Sequence, residues 1–199
     1  RAERAVRVQR ISAHDAAVFR HGFKPALPSA PNMLTSMFLH SGWMHLIGNL
    51  LFLWIYGDNV EHRLGRLAYL AAYLGTGVAA ALGDGLLRMG SNIPSVGASG
   101  AISGVLGLYF LWFPRNRVVL LVVLLWLVRL VPFPARWVLG FYVVVADLLP
   151  LIFDEGGNVA HSAHVGGFAS GLLVAYGFSR LARQRKQTGE GTWAPSPGQ

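Results

Sequence analysis

Six apolar runs take up most of the chain, at about residues 35–56 (A), 67–83 (B), 97–113 (C), 117–132 (D), 135–153 (E) and 158–181 (F). In lipid a backbone must satisfy its own hydrogen bonds, so helices packed side by side across a membrane are the default for such runs. Only 13% of the residues are charged and 53% are hydrophobic, against roughly a quarter charged in ordinary soluble domains. The pattern predicts an all-α polytopic membrane protein. Residues 1–32 read as a polar basic N-terminal segment or external loop, 33–182 as the membrane domain, and 183–199 as a disordered polar tail. Residues 1–30 hold no long apolar core of the signal-peptide kind. With no cysteine, disulfides and thiolate nucleophiles are excluded. The net charge of +8 sits at the ends of apolar runs and in the tails, without a recognition motif. That distribution favours the lipid bilayer as partner and excludes nucleic acid.

Charge also orients the runs. Arg63 and Arg66 follow A; Arg115, Arg117, Arg129 and Arg136 lie around D; Arg180, Arg183, Arg185 and Lys186 follow F. The opposite connections carry Asp84 with Arg88 and Asp154 with Glu155. By the positive-inside rule, A, C and F run from outside to inside. If D and E both spanned, the heads of C and F would lie on opposite faces. D also carries Arg129, which is costly in mid-bilayer. D is therefore expected to be interfacial or re-entrant, leaving five spanning helices.

The polar residues inside the runs are the functional candidates. Run C opens on Gly97-Ala98-Ser99-Gly100-Ala101-Ile102-Ser103-Gly104, a serine among glycines. Gly100, Gly104 and Gly107 free one helix face for close approach, and Gly167 with Gly171 form a matching face just below His164. If the two faces pack, Ser99 meets His164. His45 and Asn49, four residues apart on A, share a helix face at the same level. The chemistry that fits is acyl transfer: Ser99 as nucleophile, His164 as its base, and His45, Asn49 and the Ser99 backbone N–H as oxyanion donors. Asp147 reads as too deep in E to join them, so a Ser-His dyad is the economical reading. His40 and His62 read as structural. His161 and His164 have the spacing of a metal pair, and His40 and His45 would complete four imidazoles. No carboxylate is expected at that depth, and neither a metal nor a cofactor is expected.

Three blocks together resemble the rhomboid family of intramembrane serine proteases. They are Met37-Phe38-Leu39-His40-Ser41-Gly42-Trp43-Met44-His45-Leu46-Ile47-Gly48-Asn49 with Gly57 to Gly65, then Gly97-Ala98-Ser99-Gly100, then Ala163-His164-Val165-Gly166-Gly167-Phe168. The resemblance implies Ser99 and His164 as the catalytic pair and His45 and Asn49 at the oxyanion. It implies that Glu61 and Arg63 belong to a structural loop motif tying inner helix ends. It also implies an endopeptidase acting on single-span membrane proteins in or next to their transmembrane segment. The site would lie near the outer face of the cell membrane. Family members generally carry a helix ahead of the first block, which residues 1–32 do not supply. An aromatic often stands four residues after the serine, where it would stack on the histidine; here it is Ser103. The expectation is that His161 and nearby carbonyls hold the His164 ring instead. The alternatives are a rhomboid-like binder of transmembrane helices that does not cut them, and a small channel or transporter with a polar His/Asn cavity.

Overall fold

The computed structural model describes residues 12–124, 126–153 and 160–187. Its first helix, α1 (Ala13–His21), starts where the Ser12 hydroxyl accepts the Asp15 N–H at 3.0 Å. Asp15 in its first turn and Arg20 and His21 in its last suit the helix dipole. A short α2 (Ala30–Thr35) and a 3₁₀ turn (Ser36–Phe38) lead into α3 (Trp43–Leu64), which is run A. Run B is α4 (Arg66–Leu87) and run C is α5 (Ser99–Trp112). Gly65 alone separates α3 from α4, at φ +79° and ψ 157°. That region is open almost only to glycine, so the chain can reverse there without a loop.

Run D departs from the all-helical expectation. It forms an antiparallel hairpin of β1 (Arg117–Leu124) and β2 (Leu127–Pro134), in register from Arg117 opposite Pro134 to Leu124 opposite Leu127. The reason is local: valines load β1, and Pro132 and Pro134 cannot continue a helix. The Ala135 N–H donates to the Asn116 carbonyl at 2.7 Å and closes the neck. D therefore does not cross as a helix, as parity required. Run E is α6 (Ala135–Tyr142), a π-helical stretch (Val143–Leu148) and α7 (Leu149–Phe153), in one continuous column. Run F is α8 (His161–Gln187).

By length and composition α4, the α6–α7 column and α8 can each cross a membrane, and α2 with α3 passes as a pair bent by 92°. The α5 helix has only 14 residues, about 21 Å at 1.5 Å per residue, short of a hydrocarbon core of about 30 Å. It does not need to meet lipid. Every residue from Gly100 to Tyr109 is buried, between α8, α4 and α3. Around it pack Tyr56, Val60, Leu139 and Ala175, and the Tyr56 and Tyr109 rings meet edge to face at 5.1 Å. Outward-facing apolar side chains such as Leu67, Phe141 and Leu173 are exposed, which suits lipid around an integral membrane bundle.

The glycine faces pack as the spacing predicts, with a division of labour. Gly167 and Gly171 lie against the Gly100 and Gly104 carbonyls, so the α5 and α8 backbones touch. Gly100 and Gly104 themselves face Ala80 and Thr76 of α4, and Gly107 faces the α8 backbone at Phe168. No side chain fits at Gly171 without moving a backbone. Gly171→Val is expected to destabilise the bundle by about 1–3 kcal/mol, read as a lower melting temperature in detergent. Gly177→Ala, where a methyl meets nothing, leaves it unchanged or slightly raised.

Outside the core the structure adds detail at three places. Much of the segment read as a polar N-terminal loop is helical and packed: Phe23 is buried against Gly85 and pairs by two backbone bonds with Ser95. Helix α8 runs on through Gln187, past the expected start of the tail at 183, while 188–199, Asp154 and Glu155 lie outside the described residues. Arg63 stacks on Trp112 at 4.6 Å and so joins the ends of α3 and α5, whereas Glu61 pairs with Arg66 at 3.8 Å across the Gly65 turn. His62 sits in α3, 3.4 Å from the Asp58 carboxylate.

Candidate active site

Ser99 is the first residue of α5, and its N–H has no intrahelical acceptor. His164 lies in the first turn of α8. The close glycine packing brings Ser99 Oγ to 2.8 Å from His164 Nε2. The other ring nitrogen, Nδ1, is 2.7 Å from Asp147 Oδ1. The Asp147 carboxylate is buried, and the His164 ring is 12% exposed. An ionised carboxylate can only accept, so it fixes the proton of a neutral ring on Nδ1 and leaves Nε2 free to accept from Ser99.

This corrects the dyad reading, which left Asp147 out of reach. Asp147 is six residues from the end of α7, about 9 Å at 1.5 Å per residue. His164 is three residues into α8, about 4.5 Å by the same measure. The two helices meet at the same end, so the depths differ by less than one helical turn, a gap the two side chains close. Asp147 also lies in the π-helical stretch, where the wider turn alters the direction of its side chain. The signal was present in the sequence as a carboxylate inside an apolar helix. The expectation for His161 is revised as well: Asp147, not His161, bonds the His164 ring. His161 stands edge-on to His164 at 6.3 Å between ring centres. Ser103 is buried, with its Cβ toward Gly167 of α8.

The proposed oxyanion donors come from α3. His45 Nδ1 accepts the Ser41 N–H at 3.4 Å and stands 3.0 Å from the Ser41 hydroxyl. With Nδ1 accepting, the proton of neutral His45 is on Nε2. That edge of the ring lies against Gly97, where a Cβ would come within 2.9 Å of Nε2 and 2.7 Å of Cε1. Gly97 has φ +125° and its N–H donates to the Ser36 carbonyl at 2.9 Å. Only glycine meets both demands there. Asn49 is buried one turn further along α3, and its side-chain amide nitrogen has no hydrogen-bond partner. An unpaired buried donor costs stability until an acceptor reaches it, so this amide can serve an incoming oxygen. His40 meets His45 edge to face at 5.3 Å, its carbonyl accepts from His14 Nε2 at 2.9 Å, and its own Nε2 is unpaired. The four imidazoles do not converge: His40 pairs with His45, and His161 with His164 beside Asp147.

A second buried network fixes the helix heads. Asp84 of α4 is fully buried and takes two bonds from Arg88, at 2.7 and 2.9 Å, and one from Ser95 at 2.6 Å. The Ser162 hydroxyl donates to the same carboxylate. The pair read as a loop charge in the sequence is thus an internal clamp, linking α4, the approach to Ser99 and the start of α8. Asp84→Ala leaves Arg88 without its partner and is expected to lower stability by about 3 kcal/mol, measured as thermal unfolding in detergent. Beside Ser99, a cavity of about 40 Å³ is lined mainly by small residues, including Gly77, Ala80, Gly97, Gly100 and Ala163.

The chain is similar to several known proteins. The chain is 29% identical over 177 residues to the mitochondrial rhomboid protein 1 of Saccharomyces cerevisiae, covering 85% of this chain and 49% of that one. It is 31% identical over 144 residues to the rhomboid protease GluP of Bacillus subtilis, covering 72% and 25%. Against the chloroplastic rhomboid-like protein 11 of Arabidopsis thaliana the figure is 42% over 78 residues, covering 39% and 28%. The chain thus spans half or less of the length of these relatives. The Rhomboid domain family match covers residues 29–181, from the head of α2 through the helices that carry Ser99, Asp147 and His164. The chain belongs to the rhomboid family.

Proposed function

We propose that the chain is an intramembrane serine endopeptidase. The observation that carries this is the line of hydrogen bonds Ser99–His164–Asp147 at the head of a buried helix. Family membership and a protease among the relatives support it. Ser99 Oγ attacks the scissile carbonyl while His164 Nε2 takes its proton; His45 Nε2–H, the Asn49 amide and the Ser99 N–H receive the negative oxygen. The tetrahedral intermediate collapses to an ester on Ser99, and imidazolium gives its proton to the departing amine. Water, activated by the same ring, then releases the second product. Asp147 holds the ring and balances its transient charge.

The substrate is a single-span membrane protein. A peptide bond within a helix is shielded, so cleavage needs a segment that unwinds near the end of the bundle where the site lies. The arginines Arg63, Arg66 and Arg180 lie at the opposite helix ends, which supports a site near the outer face of the cell membrane. The small cavity beside Ser99 supports a preference for alanine or glycine next to the cut. Substrates with leucine there are expected to be cut about 5- to 150-fold more slowly, since overpacking a small cavity costs about 1–3 kcal/mol. The function itself is tested with the chain in liposomes beside a single-span substrate. Cleavage that persists in a chelator and stops with a serine-reactive fluorophosphonate is expected. A folded chain that cuts no substrate and never labels at Ser99 defeats the reading.

A further inference from the structure

His161 has no part in this mechanism, yet it is held at the centre of it. Its Nδ1 is shielded from solvent, has no hydrogen-bond partner, and stands 3.6 Å from the same Asp147 Oδ1 that bonds His164. The candidate donor atoms of Asp147, His161 and His164 all lie within 4.8 Å of one another. Two imidazoles and one carboxylate form a familiar donor set for zinc with a fourth position left open. Donors at about 2.0–2.1 Å from a tetrahedral ion are about 3.3 Å apart. The observed separations of 2.7 and 3.6 Å from Asp147 Oδ1 bracket that value, so the carboxylate needs to move by about half an ångström. The remaining adjustment is a closing of the two rings.

We propose that Asp147, His161 and His164 form an inhibitory site for a divalent zinc-class ion. An ion on His164 Nδ1 takes the place of the proton that this nitrogen donates to Asp147. The neutral ring then carries its proton on Nε2, the nitrogen that faces Ser99. A protonated Nε2 cannot accept from the Ser99 hydroxyl, so the nucleophile is switched off without being touched. Asp147 is drawn to the ion at the same time and no longer serves the ring. The inhibition rests on the proteolytic reading; the binding does not.

The test separates the two. Cobalt(II) is added to the full-length Ser99→Ala chain in detergent, and its visible absorption is followed. A saturable tetrahedral spectrum with one ion per chain, displaced by zinc, is expected. His161→Ala, or His161→Gln if the alanine variant is unstable, is expected to weaken cobalt binding at least tenfold. In the active chain, micromolar zinc is expected to stop cleavage reversibly, and a chelator to restore it. The His161 variant keeps its cleavage and needs at least tenfold more zinc for half-inhibition. No saturable spectrum, or equal zinc sensitivity with and without His161, overturns the site. Cobalt binding that depends on His161 in a chain that never cleaves leaves the ion site standing and removes the protease.

Discussion

Replacing Ser99 by alanine is expected to lower cleavage of a single-span substrate by about 10³-fold or more, to the level of the empty liposome. The change removes one oxygen atom, the one 2.8 Å from His164 Nε2. The fold does not depend on it. The glycine contacts of α5 with α8 and α4 run through Gly100, Gly104 and Gly107, and the Asp84 clamp acts through Ser95 and Ser162. The melting temperature therefore stays within a few degrees while the chemistry is lost. Without a nucleophile on the chain, only a water molecule is left to attack, and no pre-aligned base–hydroxyl pair remains to position it. Cleavage by Ser99→Ala above a tenth of the parent rate defeats Ser99 as nucleophile.

The second large effect belongs to Asp147→Asn, expected to lower kcat by about 10²–10⁴-fold with KM little changed. The substitution keeps shape and volume, so packing in the π-helical stretch is retained. It removes the charge that faces His164 Nδ1 at 2.7 Å in a buried setting. As Ser99 attacks, the ring becomes imidazolium, and a buried positive charge without a counter-charge is costly. An asparagine can also turn its NH₂ toward Nδ1, which reverses the ring tautomer and puts the proton on Nε2, the wrong nitrogen. Substrate binding involves neither group, so the loss falls on kcat. A variant within about threefold of the parent, with both parameters unchanged, removes Asp147 from the reaction and restores the simpler pair.

What the sequence alone determined was the environment and the helix contacts that lipid physics forces. Long apolar runs with charges at their ends gave the membrane helices. Parity and charge excluded D as a spanning helix, and the glycine spacing predicted the contact of Gly167 and Gly171 with α5 that brings Ser99 to His164. These were legible because they depend on periodicity and on residue size, both of which are local. Tertiary structure decided what depends on depth and direction. The hairpin in run D arises from strand pairing across eight residues on each side, which no single helix-length window reveals. Asp84 reads as a loop charge in the sequence because its partners Ser95 and Ser162 are 11 and 78 residues away. Parity alone places Asp147 too deep, whereas the π-helical stretch and the shared end of α7 and α8 set its reach. A carboxylate's role depends on which groups lie within about 3 Å of it, and that is fixed only when separate helices have packed.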